Sequence, residues 1–258
     1  MKKTKVYLLD SGSFVVDGYI MFWNIGPSGP YRFPIYGVLI DHQDGLFLFD
    51  SGMDRTLSQS INARTGQETA MQSERQTLAG QLNLIGFRPS DINVVMNSHY
   101  HFDHVGGNRL CTCATTICHK HEVEAFAHPH PVTEAPGYLD GSFLEAHGDY
   151  KPKLEMVTGD QEVARGITLF ETPGHTAGHY SLMVQLSDRR PMIFTGDACY
   201  AKRSLETMAI QSLHVDPVKS YDSMVRLREL AEKHDAELFF GHDRESFPTY
   251  IKAPGYYS

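Results

Sequence analysis

Between Asn97 and Asn108 the chain reads NSHYHFDHVGGN, and four side chains of metal-ligand type, His99, His101, Asp103 and His104, fall within six residues. A strand sends every second side chain to one face, so His99 and His101 can converge on one ion. Asp103 and His104, past the strand's end on a tight loop, can turn toward another. Gly106 and Gly107 then let a loop crowded against ions turn without a Cβ penalty. Three other stretches put a polar residue where an apolar strand runs out: Thr172-Pro173-Gly174-His175, Thr195-Gly196-Asp197 and Gly241-His242-Asp243. A lone loop histidine is more often a hydrogen-bonded surface or core residue than a ligand, so the weight rests on the four motifs together. Five histidines and two aspartates suffice for two four-coordinate zinc ions if Asp197 bridges and a water completes each shell. Metal and hydrolysis are the chemistry this set announces.

These residues need strands that end side by side. Lys5 to Asp10 and Phe14 to Val16 read as two short strands joined by the turn Ser11-Gly12-Ser13. Asp17 to Pro34 is too rich in Gly, Pro and aromatics for a helix; its Met21, Phe22 and Trp23 either cover the core or line a pocket for an apolar substrate. Tyr36 to Ile40 and Leu46 to Asp50 form a hairpin around His42-Gln43-Asp44-Gly45. Met53 to Ser73 reads as a loop or frayed helix, Glu74 to Ile85 as a helix closed by Gly86, and Ile92 to Met96 as the buried strand that delivers the first motif. Thr116 to Cys118 is a strand, followed by a helix over Lys120 to Phe126. The proline- and glycine-rich stretch His128 to Pro152 has the composition of a lid, under which His128 and His130 could touch substrate. Strands follow over Leu154 to Val157, Ile167 to Glu171, Tyr180 to Leu186, Met192 to Thr195 and Glu237 to Phe240. Pro217 to His234 is an amphipathic helix with Tyr221, Met224, Leu227, Leu230 and Ala231 inward and Arg226, Arg228, Glu229 and Glu232 outward. Strands then a helix recur in each half, an α/β pattern of two sheets between helices.

With 258 residues the chain is read as one domain, 1–258. No apolar run approaches the roughly 20 residues of a membrane span. The start MKKTKVYLLDSGSF breaks at Asp10 and reads as a first strand rather than a signal peptide, so a cytoplasmic protein is expected. A formal charge of −8 without Lys/Arg clusters disfavours nucleic acid, and two divalent cations would halve it. Cys111, Cys113, Cys118 and Cys199 lack paired C-x-x-C spacing and read as thiols rather than a structural zinc site.

Taken together, these motifs resemble the metallo-β-lactamase fold superfamily from Lys5 to Tyr257: HxHxDH at His99 to His104 combines with His175, Asp197 and His242. The resemblance implies an αβ/βα sandwich of two mixed β-sheets flanked by helices. It implies one metal on His99, His101, His175 and Asp197 and another on Asp103, His104, Asp197 and His242, with Asp50 orienting a ligand histidine and Asp243 supporting the site from behind. Asp197-Ala198-Cys199-Tyr200 looks like the D-A-x-Y signature of the lactonase branch. The chain is similar to N-acyl-homoserine lactonases, which quench quorum signals. KVYLLDSGSFVVDGY, SLET at Ser204 to Thr207 and HVDPV at His214 to Val218 are similar to 4-pyridoxolactonase of vitamin B6 degradation.

The implied reaction is hydrolysis of a lactone by a hydroxide bridging two Zn2+ ions, with Mn, Fe or Co able to occupy the same ligands. Asp103 would carry the proton to the leaving oxygen, Tyr200 would donate to the oxyanion, and Phe102, with Met21 and Trp23, would face the substrate. His179 is expected to make a structural hydrogen bond, and His119, His121 and His214 to be surface or core residues. A homodimer is expected by resemblance. Two rivals remain: a phosphodiesterase using the same metals, and a non-catalytic metal-bound sensor or scaffold.

Overall fold

The computed structural model describes residues 3–133 and 152–258. The lid expected over 128–152 therefore lies largely outside the described residues. Strands β1 (Lys5–Asp17), β2 (Pro30–His42), β3 (Gly45–Phe49), β4 (Ala70–Met71), β5 (Val94–Met96), β6 (Thr115–His119) and β7 (Lys153–Val157) form one sheet, in the order β4-β1-β2-β3-β5-β6-β7. Strands β8 (Gln161–Ala164), β9 (Ile167–Glu171), β10 (Tyr180–Val184), β11 (Met192–Phe194) and β12 (Glu237–Phe239) form a second, ordered β12-β11-β10-β9-β8. Both sheets mix parallel and antiparallel pairs.

Alternation along the strands explains the layers. Val6, Leu8, Val38, Ile40, Phe47 and Phe49 face the second sheet and meet Leu169, Leu182, Val184, Met192 and Phe194 in one core. The residues between them, Tyr7, Leu9, Leu39, Leu46 and Leu48, point the other way and are covered by Leu78 and Leu82 of α3 (Leu78–Leu84). In the second sheet Met183 and Ile193 point outward under Met224, Leu227 and Leu230 of α7 (Pro217–His234). Each such side chain contributes roughly 1.5–3 kcal/mol on burial, so strands with two apolar faces need a layer on each side. The result is the two mixed sheets flanked by helices that the sequence led us to expect.

Strand direction brings the motifs together. β3 is parallel to β5, and β11 is parallel to β12, so within each sheet their C-terminal ends share an edge. β9 is antiparallel to β10, which is antiparallel to β11; β9 therefore runs with β11 and ends at the same edge.

Several expectations need correction. The two short N-terminal strands are one, because Asp10 Oδ1 accepts the Gly12 N–H (2.9 Å) and the register slips between Asp10 and Ser13, a bulge rather than a reversal. Pro30 to Pro34 belongs to β2, and Pro34 lies opposite Ser13, at the bulge, where it interrupts little of the ladder. Gly18–Met21 (α1) is helical after all, capped by Asp17, which accepts the Tyr19 N–H. Arg55–Thr65 forms α2, capped by Asp54 and ended by Gly66 in the left-handed region, although only Leu57, Ser58 and Ile61 are buried. The helix expected from Glu74 begins as a 3₁₀ turn, and α3 starts only after Thr77, whose side chain accepts the Gly80 N–H. β8 is too short and polar to be legible. On α7, Tyr221 is exposed and Ser220 and Ser223 are buried instead; Ser223 Oγ donates to Pro173 O (2.6 Å), so the loop before His175 needs small residues there. Arg226, expected outward, reaches back to Glu171 O and Asp160. Among the described residues no helix is long and apolar enough to cross a membrane.

Candidate active site

Four loops meet at the shared edge. β5 runs into Asn97 and Ser98, both sealed from solvent, and then into His99 to His104; Phe102–Val105 makes a single helical turn, α4. Gly106 is required there: a Cβ would lie 2.2 Å from Asp54 N and 2.6 Å from Met53 C, both backbone atoms. His175 follows β9, Asp197 follows β11 on a 3₁₀ turn, and His242 follows β12.

Two groups of donor atoms result. His99, His101, His175 and Asp197 present ligand atoms all within 4.8 Å of one another, and so do Asp103, His104 and His242. In the first, His175 Nε2 lies 3.0 Å from His101 Nδ1, 3.2 Å from His99 Nε2 and 3.2 Å from Asp197 Oδ2. In the second, His104 Nε2 and His242 Nε2 lie 3.2 and 3.1 Å from Asp197 Oδ1, and 3.7 and 3.6 Å from Asp103 Oδ2. One Asp197 oxygen thus faces each group.

The outward nitrogens fix which way the lone pairs point. His175 Nδ1–H donates to Leu213 O (2.5 Å) and His242 Nδ1–H to Pro34 O (2.9 Å), which assigns the proton to Nδ1 in each neutral ring and leaves Nε2 bare. His104 Nδ1 donates to Asp50 Oδ2 (2.7 Å), and Asp50 also accepts the Ser98 N–H (2.8 Å) and Ser98 Oγ–H (2.7 Å). Asp50 sits at φ 56°, a left-handed backbone that aims its carboxylate back at the loop. His179, at the back, takes a proton at Nδ1 beside Thr172 Oγ1 (2.9 Å) and accepts the Asp197 N–H at Nε2 (2.9 Å).

Imidazole lone pairs aimed at one another and at carboxylates repel unless a cation or protons stand between them. His104 Nε2 and Asp197 Oδ1 are sealed from solvent and neither has a hydrogen-bond partner, a state that costs roughly 1–3 kcal/mol per group if left unmet. Burial, with the neighbouring histidines, holds His99 and His101 well below the usual imidazole range. Burial also pulls on His104 and His242, but Asp197 and Asp103 outweigh it and raise both. Asp197 is held well below the carboxylate range against its burial, chiefly by His242, His104 and His175. The second group therefore draws positive charge, and the whole donor set fits two divalent cations.

Above it lies a cavity of about 300 Å³. Phe14, Val16, Phe33 and Phe102 line one wall, Leu213, His214 and Val215 another, and His101, Asp103, Asp197, Tyr200 and His242 the floor. Tyr200 stands with its ring 4.9 Å from His242 and 5.8 Å from His175; burial first, then Asp197 and Asp103, raise its phenol well above the usual value, so it stays protonated.

Not every expected residue comes here. Met21 is fully buried against Phe22, Tyr31 and Phe33 and lines no part of the cavity. Trp23 edges onto His214 (4.8 Å) but lies on an outer groove with Ile25, Met208 and Val218. Asp243 accepts the N–H groups of Lys202 and Glu245 and the Ser246 hydroxyl; it ties the loop after β12 to the start of α6 (Lys202–Thr207) and supports the floor only through backbone. His214, read as surface or core, borders the cavity. Phe14, Phe33 and Ser98 went unforeseen, and no local pattern marks them.

The family model described as Metallo-beta-lactamase superfamily matches residues 30–242. The N-acyl homoserine lactonase AiiA of Bacillus thuringiensis subsp. kurstaki is 29% identical over 262 residues, covering 97% of this chain and 100% of that one. The N-acyl homoserine lactonase AttM of Rhizobium radiobacter is 28% identical with full coverage of both. A solved N-acyl homoserine lactone hydrolase, with N-hexanoyl-L-homoserine bound at its catalytic metal center, superposes with a TM-score of 0.86 at 27% identity, covering 100% of both chains. The fold, the strand-end chemistry and these matches lead to one conclusion: the chain belongs to the metallo-beta-lactamase superfamily.

Proposed function

We propose that this protein is a dinuclear metal-dependent lactonase that hydrolyses an N-acyl homoserine lactone. The observation that carries the reading is Asp197, which turns one oxygen to each donor group at the floor of a cavity that Tyr200 also borders. Similarity to named N-acyl homoserine lactonases over nearly the whole chain supports the substrate class. His99, His101, His175 and Asp197 would hold one cation and Asp103, His104, His242 and Asp197 the other, with zinc the default for such N/O donors and Mn, Fe or Co alternatives. Bound there, the cations supply Lewis acidity that acidifies water and polarises the lactone carbonyl.

The chain's own groups do the rest. The protonated Tyr200 hydroxyl donates to the carbonyl oxygen as it gains negative charge under attack by water, before the ring opens. Asp103 takes the proton of the attacking water on its carboxylate and returns it to the alcohol oxygen as the C–O bond breaks. Phe102, packed edge-on against Phe14 (5.2 Å), holds the apolar part of the substrate and excludes bulk water. The same aromatic wall makes a fused-ring lactone, 4-pyridoxolactone, the second substrate to test.

Acid release from N-hexanoyl homoserine lactone and 4-pyridoxolactone, measured side by side on metal-loaded protein, tests both. No ring opening of either, with bis(p-nitrophenyl) phosphate cleaved, would replace the lactonase by a phosphodiesterase. No turnover of any of the three would leave a binding protein.

A further inference from the structure

Glu122 lies on the first turn of α5 (Lys120–Ala127) and is completely buried. A carboxylate is costly to desolvate unless it is well hydrogen-bonded. Its Oε1 accepts the N–H of Tyr100 (3.0 Å) and its Oε2 the N–H of Gly178 (3.2 Å). Tyr100 stands between His99 and His101, and Gly178 stands between His175 and His179. One side chain therefore spans the two loops, from different sheets, whose histidines make up the first donor group.

The surroundings make this a fixed support. His119, which precedes α5 and caps it by accepting the His121 N–H, is held by Glu171 at 2.5 Å, at the end of β9. Gly178 is pressed onto the same turn: a Cβ would lie 2.5 Å from Glu122 N and 2.7 Å from His119 Nδ1. A second tie, Tyr180 N–H to Ser98 O (2.9 Å), joins the loops farther back and keeps the fold if the first is loosened. His175 Nε2 lies only 3.0 Å from His101 Nδ1 and 3.2 Å from His99 Nε2, so a small shift of either loop is felt directly in that group.

We infer that Glu122 is a positioning residue that sets the separation of His99 and His101 from His175, and so the metal affinity of that group. The inference rests on the reading of that group as a metal site. Glu122→Gln probes it with little change of shape: the amide keeps one acceptor and turns its NH2 toward the other N–H. Zinc is titrated against a chromophoric chelator in a His242→Ala background, which removes a donor from the other group and leaves one equivalent to follow. Adding Glu122→Gln is expected to weaken that equivalent 10–100-fold, the range for partners behind metal ligands. Ile193→Val, which thins the core under α7, should lower thermal stability without that loss. Parent affinity in Glu122→Gln, or a loss no larger than in Ile193→Val, overturns the inference while leaving the metal site intact. A parent chain that takes up no zinc overturns both. Should Glu122→Gln fail to fold, Gly178→Ala strains the same junction from the other side and is expected to give the same selective loss; parent affinity there overturns the inference as well.

Discussion

Asp50→Asn isolates one hydrogen-bonding choice in the site. Asp50 takes three donors, the Ser98 N–H and Oγ–H and the His104 Nδ1–H, at 2.7–2.8 Å. An amide of the same size has one acceptor oxygen and one NH2. If the oxygen keeps Ser98 N–H, the NH2 faces His104 Nδ1, which must become an acceptor; the ring proton then moves to Nε2 and points at Asp197 Oδ1, 3.2 Å away. If the amide flips, its NH2 opposes the Ser98 N–H. Either way a charge-assisted bond worth about 1.5–3 kcal/mol is lost, matching the 10–100-fold, about 1.4–2.8 kcal/mol, that partners behind ligand histidines typically carry. Backbone strain does not confuse the result, because Asn tolerates the left-handed φ of 56° as well as Asp. Zinc titration should show the equivalent on the His104 side weakened by that factor and the one on the His99 side weakened less, because Asp50 reaches His99 through the Ser98 hydroxyl, 2.9 Å from His99 Nδ1. Two equivalents of parent affinity in a folded Asp50→Asn chain would refute the tautomer argument.

Other perturbations separate the remaining roles. Tyr200→Phe should lower kcat about 10²–10³-fold while metal content and KM hold; steady-state kinetics within twofold of parent would remove Tyr200 from the oxyanion. Burial depresses His179 to about 3, so in the metal-free chain this side chain binds fewer protons in the native state than in the unfolded one below about pH 6.5, opposite in sign to the raised His104 and His242. Its stabilisation is therefore complete above that pH and is lost as pH falls toward about 3, on the order of 5 kcal/mol in all; thermal melts from pH 7 to 4 should show the slope, and His179→Asn should flatten it. Gly106→Ala forces a Cβ onto the backbone of Met53 and Asp54 and should cost roughly 1–3 kcal/mol, read as a lowered Tm; an unchanged Tm would show that the loop can move.

The seven ligand-type side chains are legible in the sequence because their chemistry is dense and each follows an apolar run. His99 and His101 are spaced two apart as on a strand, but they lie in the loop after β5, which ends at Met96, so strand alternation is not what brings them together. Asp197 and His242 each stand just past three apolar residues. What supports them is hidden for a physical reason. Ser98, Glu122 and the carbonyls of Pro34 and Leu213 act through contacts between residues far apart in the chain, and nothing in their local surroundings predicts a partner. Met21 and Trp23 show the converse: a stretch rich in large apolar residues says that something is covered, not which side of a wall each residue takes. The bulge at Asp10 to Ser13 misled for a related reason, since Ser-Gly-Ser suits a reversal and a slipped register equally well.

The seven-stranded sheet's loops carry His99, His101, Asp103 and His104, whereas His175, Asp197 and His242 come from the five-stranded sheet. Ions bound by both sets would act as cross-links between the two halves of the sandwich. Such a cross-link shifts the folding equilibrium by mass action, by about 2.7 kcal/mol when free metal is a hundredfold above its dissociation constant. Metal supply would then govern the lifetime of the protein as well as its turnover: a starved cell would hold chains whose sheets part more often and which proteases clear sooner.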